Sequence, residues 1–133
     1  MTRAVLLAFI LVALGNLDAE LPPSVYKERQ EKAPEALVIK VGSVTKRESA
    51  ESKWRQTDFT VTAEVQKVER SATGLAPGLT ITIRYSRRDY SPPIAGPSEV
   101  PSLTEGQISP AYLSKDGTAY VPAAGGYSFE TVR

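Results

Sequence analysis

From Thr57 to Arg70 the chain reads T-D-F-T-V-T-A-E-V-Q-K-V-E-R, and no other stretch limits the fold as strongly. Phe59, Val61, Ala63 and Val65 occupy alternate positions, with Thr60, Thr62, Glu64 and Gln66 between them. Successive side chains of a strand point to opposite faces. A strict period of two with one polar register is therefore an antiparallel strand with one dry side and one wet side. Wound as a helix, the same apolar residues would fall on both sides of the axis. After Gly74-Leu75-Ala76-Pro77-Gly78, the run Leu79-Thr80-Ile81-Thr82-Ile83-Arg84-Tyr85 alternates again. Two such runs joined by a glycine-bounded link predict a hairpin.

Weaker signals fill in the rest. Leu21-Pro22-Pro23 is extended, because proline disfavours helix in the residue before it. Ser24 to Lys32 reads as a short helix capped by Ser24, with Val25, Tyr26 and Arg29 on one weakly apolar side and Pro34 as its stop. Ala36 to Val44 is a strand in which Leu37, Ile39 and Val41 share a face and Gly42 marks a bulge. Lys46 to Gln56 is polar and reads as a loop, and Arg87 to Pro101, with four prolines, as a long surface connection. Gln107 to Leu113 is a strand broken by Pro110, which suits a sheet edge. Lys115-Asp116-Gly117 signals a hairpin into Thr118 to Val121. Gly125-Gly126 then reverses the chain, with positive φ expected at Gly126, and Tyr127 and Phe129 share a face that covers one end of the domain.

Short strands, turn signals and a single short helix predict an all-β fold: residues 35–133 as one domain, preceded by an extension over 20–34. A small five-stranded Greek-key barrel of the OB type fits the spacing best, with a β-sandwich as the alternative. The alternating A-E-V-Q-K-V, the glycine-bounded link, G-L-T-I-T-I-R-Y, L-T-E-G and the Tyr112-Leu113 strand together resemble the netrin-like modules. Those are OB barrels that include the tissue inhibitors of metalloproteinases and similar exported bacterial proteins. The resemblance spans about Leu37 to Phe129. In the inhibitors an N-terminal cysteine chelates the protease zinc. This chain has no cysteine, so that route of inhibition does not carry over.

The N-terminus predicts an address. One positive charge at Arg3 precedes Ala4 to Leu14, which lacks any polar residue, and then Gly15-Asn16-Leu17-Asp18-Ala19. That order is a signal peptide over residues 1–19, too short for a span of about 20 apolar residues. Its removal from the 133 residues leaves 114, one ordinary domain. The mature chain is then secreted or periplasmic and does not span the membrane. The net charge of +1 predicts no strongly charged partner, and nucleic acid is set aside with it.

The absence of histidine and cysteine removes Ser-His-Asp and Cys-His nucleophile systems and zinc sites that need those ligands. No cofactor motif is present. Two S-x-x-K tetrads, at Ser24–Lys27 and Ser43–Lys46, lack the companion motifs of penicillin-recognising enzymes. In the second, positions i and i+3 of a strand point to opposite faces. Asp58, Glu64, Glu69, Asp89, Glu105 and Asp116 are scattered, with nothing in their spacing to pair two carboxylates. The candidate binding residues are Trp54, Arg84, Arg88 and Tyr90. Trp54 is either an anchor in the first loop or a lid on the barrel mouth; the Arg84–Tyr90 segment mixes cations with aromatic rings. The sequence points to a non-enzymatic exported binding or assembly module, its partner another envelope protein or a polysaccharide. A carboxylate-dependent hydrolase of wall or sugar polymers is the alternative.

Overall fold

A computed structural model describes residues 21–50, 54–90 and 100–132. The signal-peptide reading of residues 1–19 lies outside them, as does the proline-rich stretch 91–99. Helix α1 (Pro23–Lys32) is followed by β1 (Glu35–Ala50), β2 (Trp54–Ser71), β3 (Thr80–Tyr90), β4 (Ile108–Asp116), β5 (Ala119–Pro122) and a 3-10 turn over Gly125–Tyr127. The strands close into one barrel in the order β1-β2-β3-β5-β4, the connectivity of an OB-type barrel. The all-β expectation holds, as a barrel and not a sandwich.

The predicted alternation builds the core. Phe59, Val61, Ala63 and Val65 point inward from β2, opposite Tyr85, Ile83 and Ile81 of β3. Leu37, Ile39 and Val41 join them from β1, and Ala111 and Leu113 from β4. β1 pairs with β2 along its whole length and with β4 over Glu35–Lys40, so it is shared by both halves of the barrel. Its register shifts three times, last between Val41 and Ser43 at Gly42. A Cβ on Gly42 would lie 3.2 Å from both the Thr62 carbonyl oxygen and Oγ1, so the bulge needs the missing side chain.

Several expectations are corrected. Ser24 does not cap α1: Pro22 stands at the cap without a side-chain bond and Pro23 opens the first turn. There a missing N–H costs nothing and φ is already helical. The helix docks through Tyr26 and Gln30, not through an apolar stripe. The Tyr26 ring lies 4.5 Å from that of Tyr127, and Gln30 Nε2 donates to the carbonyls of Tyr127 and Glu130, both at 2.8 Å. Arg70 completes the seam from β2, donating to the carbonyls of Ala33 and Gln30, again at 2.8 Å.

The polar stretch expected as a loop from Lys46 to Gln56 is mostly strand: β1 runs on to Ala50 and β2 begins at Trp54. Likewise β3 continues past Tyr85 to Tyr90. Pro110 lies opposite Val38 of β1, while β5 meets β4 only at Leu113–Asp116. The β5 side of the ladder is thus unused at the one residue without an N–H. Positive φ falls on Gly125 (56°) and not on Gly126, and the segment coils instead of extending. Phe129 does enter the core, whereas Tyr127 faces the helix.

Candidate functional site

Barrel closure uses only part of the three longest strands. β4 covers β1 up to Lys40, and β5 meets β3 at Ile83. Beyond those points β1, β2 and β3 continue side by side as a three-stranded antiparallel arm, through Ala50, Trp54 and Tyr90. From Ile83 to Tyr90 this is about 23 Å at the usual rise per residue. The arm has two faces, and alternation decides what each carries.

The face continuous with the barrel exterior carries Trp54, Gln56, Asp58 and Thr60 of β2, with Arg88, Ser86 and Arg84 of β3 opposite the last three. Arg88 lies over the Trp54 indole, its guanidinium carbon 4.9 Å from the ring centroid. Its Nε donates to Gln56 Oε1 at 3.1 Å, and Gln56 Nε2 donates to Asp58 Oδ1 at 2.9 Å. Ser86 Oγ donates to the same carboxylate oxygen at 2.6 Å. Five side chains on two strands thus form one connected chain. The Ser86 hydroxyl above all, then the Gln56 amide, hold the Asp58 carboxyl below its ordinary value; desolvation opposes them, and the charge of Arg47 adds a little.

Trp54 is therefore neither in a loop nor a lid. It opens a strand on the face opposite Phe59, half-buried against Arg88. Arg84 is exposed on the same face, four residues along β3 from Arg88. The backbone of Tyr90 pairs with Trp54; its side chain lies outside the described residues. Sequence reasoning brought Trp54 and Arg88 to one wall but missed Gln56, Asp58 and Ser86. The signal was the hairpin register: pairing Ala63 with Ile81 and counting outward sets Gln56 opposite Arg88.

The other face of the arm continues the barrel interior. Lys46, Glu48, Thr57, Phe59, Arg87 and Asp89, with Ser102, line a cavity of about 150 Å³ at the barrel mouth. The Lys46 ammonium stands 5.7 Å from the centroid of the Phe59 ring, which stacks on Tyr85 at 4.7 Å. Burial raises the Tyr85 hydroxyl above its ordinary value, offset in part by the Leu103 backbone and the charge of Arg87. Glu48 and Asp89 thus share a cleft, a juxtaposition that sequence spacing did not reveal. Ser43 and Lys46 do lie on opposite faces: the Ser43 hydroxyl is 2.6 Å from Thr62 Oγ1 on the outer side, and no Ser-Lys pair forms there.

The one fully buried carboxylate among the described residues is Glu35, at the start of β1. Its oxygens accept from Ser71 Oγ and, at 3.2 Å each, from Thr73 N and Thr73 Oγ1. Among the described residues no group of three or more acidic side chains is placed to hold a metal ion, and no helix is long and apolar enough to cross a membrane. Searches against protein-family models, curated proteins and solved structures found no match. The netrin-like resemblance accordingly rests on strand rhythm.

Proposed function

We infer that this chain is a non-enzymatic, exported binding module of the cell envelope or extracellular space, engaging a polysaccharide through the outer face of its arm. The observation that carries this reading is the connected chain Trp54–Arg88–Gln56–Asp58–Ser86. Arginine and glutamine lose much rotamer freedom when a ligand orders them; here they are ordered beforehand, which reduces the cost of binding. An indole edge beside amide, carboxylate, hydroxyl and guanidinium groups suits a polyhydroxylated surface. The exposed large apolar residues Leu79 and Ile108 lie off this face, so it offers little to an apolar protein patch.

The hydrolase alternative draws less support. A general acid must reach the bond it protonates: both oxygens of the buried Glu35 are occupied by its own chain, and Glu48 and Asp89 in the inner cleft each lie against an arginine, Arg55 at 4.0 Å and Arg87 at 3.9 Å. Affinity electrophoresis of the mature protein through gels containing wall and capsular polysaccharides tests the reading, run beside a reducing-sugar release assay. Retardation without sugar release is expected. Trp54→Ala should weaken it by about 2 kcal/mol, the loss of a central anchor, at an unchanged melting temperature. Sugar release, or capture of a protein with no retardation by any polymer, would refute it.

A further inference from the structure

The cleft on the inner face of the arm carries a second, independent inference. Arg87 Nε is buried and has no hydrogen-bond partner among the described residues. Its nearest carboxylate is Asp89, with Arg87 Nη2 3.9 Å from Oδ1, too long for a hydrogen bond. Asp89 offsets the charge of the guanidinium without satisfying its donors. The rest of the Arg87 side chain is about a third exposed (32%), so its charge is open to an entering acceptor while Nε stays covered. Arg87 lines the cavity of about 150 Å³ on the inner face of the arm.

The charges around the cavity select the kind of acceptor. Cationic Lys46 and Arg87 line the cavity together with anionic Glu48 and Asp89, and Arg55 Nη1 stands 4.0 Å from Glu48 Oε1, an exposed pair that a ligand ammonium would exchange. Thr57 and Ser102 add hydroxyls, and the Phe59 ring adds an apolar wall. A phosphate or other polyanion would meet two carboxylates, and a simple cation would meet an ammonium and a guanidinium. A molecule with one carboxylate and one ammonium satisfies both sets, with Arg87 supplying the fork geometry that carboxylates prefer. We propose that this cleft binds a small zwitterion of the α-amino-acid class, its carboxylate on Arg87 and Lys46 and its ammonium between Glu48 and Asp89.

The test is calorimetric and NMR titration of the mature protein with glycine and with each enantiomer of alanine, against acetate, methylammonium and inorganic phosphate. At least one amino acid should bind, with shifts centred on Lys46, Glu48, Thr57, Arg87 and Asp89, and about tenfold or more tighter than acetate or methylammonium. Arg87→Gln should abolish that binding with an equal or higher melting temperature, since it removes the covered Nε donor that has no acceptor among the described residues. Should that variant fail to fold, Glu48→Gln provides the second arm: alanine should lose its advantage over acetate. Trp54→Ala, on the opposite face, should leave amino-acid binding unchanged. No binding up to about 10 mM, phosphate or acetate binding as tightly as alanine, or full binding by Arg87→Gln would each overturn the proposal.

Discussion

Glu35 gives the sharpest test of how this barrel is held together. It is a carboxylate with no exposed surface, and among the described residues no ion pair is formed with it; its donors there are Ser71 Oγ, Thr73 N and Thr73 Oγ1. The hydroxyls have further roles: Thr73 Oγ1 is 2.8 Å from the Tyr120 hydroxyl, and Ser71 Oγ accepts from Leu75 N at 2.9 Å. One side chain therefore ties the start of β1 to the β2–β3 link and, through Thr73, to β5. In Glu35→Ala the Thr73 hydroxyl can turn wholly to Tyr120, but the Thr73 N–H and the Ser71 hydroxyl lose their acceptor. Thr73 is exposed and Ser71 half-buried, so solvent can reach both. Each lost bond to a charge is about 1.5–3 kcal/mol, and a total near ~3 kcal/mol is expected once relief of the buried charge is allowed for. With a urea slope of about 1.5 kcal/mol/M, the midpoint should fall by about 2 M. Glu35→Gln, which keeps one carbonyl acceptor, should fall between Ala and wild type. A Glu35→Ala midpoint within about 0.3 M of wild type would refute the assignment of Glu35 as the knot of this network.

The Asp58 carboxyl should titrate by NMR below its ordinary value, and Ser86→Ala should move it back up, because the Ser86 bond is the largest cause. Since the folded value is the lower one, the stability Asp58 contributes is present above the unfolded value near 3.8 and is lost as pH falls through the folded value. Asp58→Asn should flatten that part of the acid limb; an unchanged limb contradicts the assignment. At the C-terminal turn, Gly125→Ala should cost about 1–2 kcal/mol by thermal melting, since φ is positive and the new Cβ would sit 3.3 Å from Tyr26 Cε1. An unchanged melting temperature would show that the turn relaxes freely. The intact mass of exported protein should correspond to a chain starting at Glu20, and a mass retaining residues 1–19 would end the export reading.

The strands that could be read from sequence were those with contrast between their faces. Val61 to Val65 and Ile81 to Tyr85 bury one register and wet the other, so period, face and hairpin were all visible. The arm has no such contrast: Arg47, Ser49 and Gln56 on one side and Lys46, Glu48 and Arg55 on the other are polar alike. It is held by the backbone ladder and by side-chain bonds across strands, which leave no hydrophobic signature. Glu35 and Gln30 escaped notice for a related reason, as both are polar residues buried for their hydrogen bonds. Gly125 and Gly126 mark a bend in the sequence, but nothing local says which of two adjacent glycines takes the left-handed conformation. Trp54 and Arg88 were placed on one wall from topology alone, and their stacking distance then follows from the register.

The double duty of β1 has a kinetic consequence. The β1–β2 and β2–β3 pairings join neighbours in the chain, whereas closure brings Glu35 to Leu113, and α1 reaches the C-terminal turn through Gln30 to Tyr127 and Glu130. Loop entropy must be lost before such distant contacts return any free energy, so the three-stranded meander forms early and closure comes late. Substitutions at the seam, at Gln30 or Arg70, should then mainly accelerate unfolding and leave the folding rate nearly untouched, whereas Val61 or Ile83 substitutions should slow folding itself. The last contacts to form would also be the first to open, so the lifetime of the folded barrel depends on two side chains, Gln30 and Arg70, that join the helix to the barrel rather than on its core.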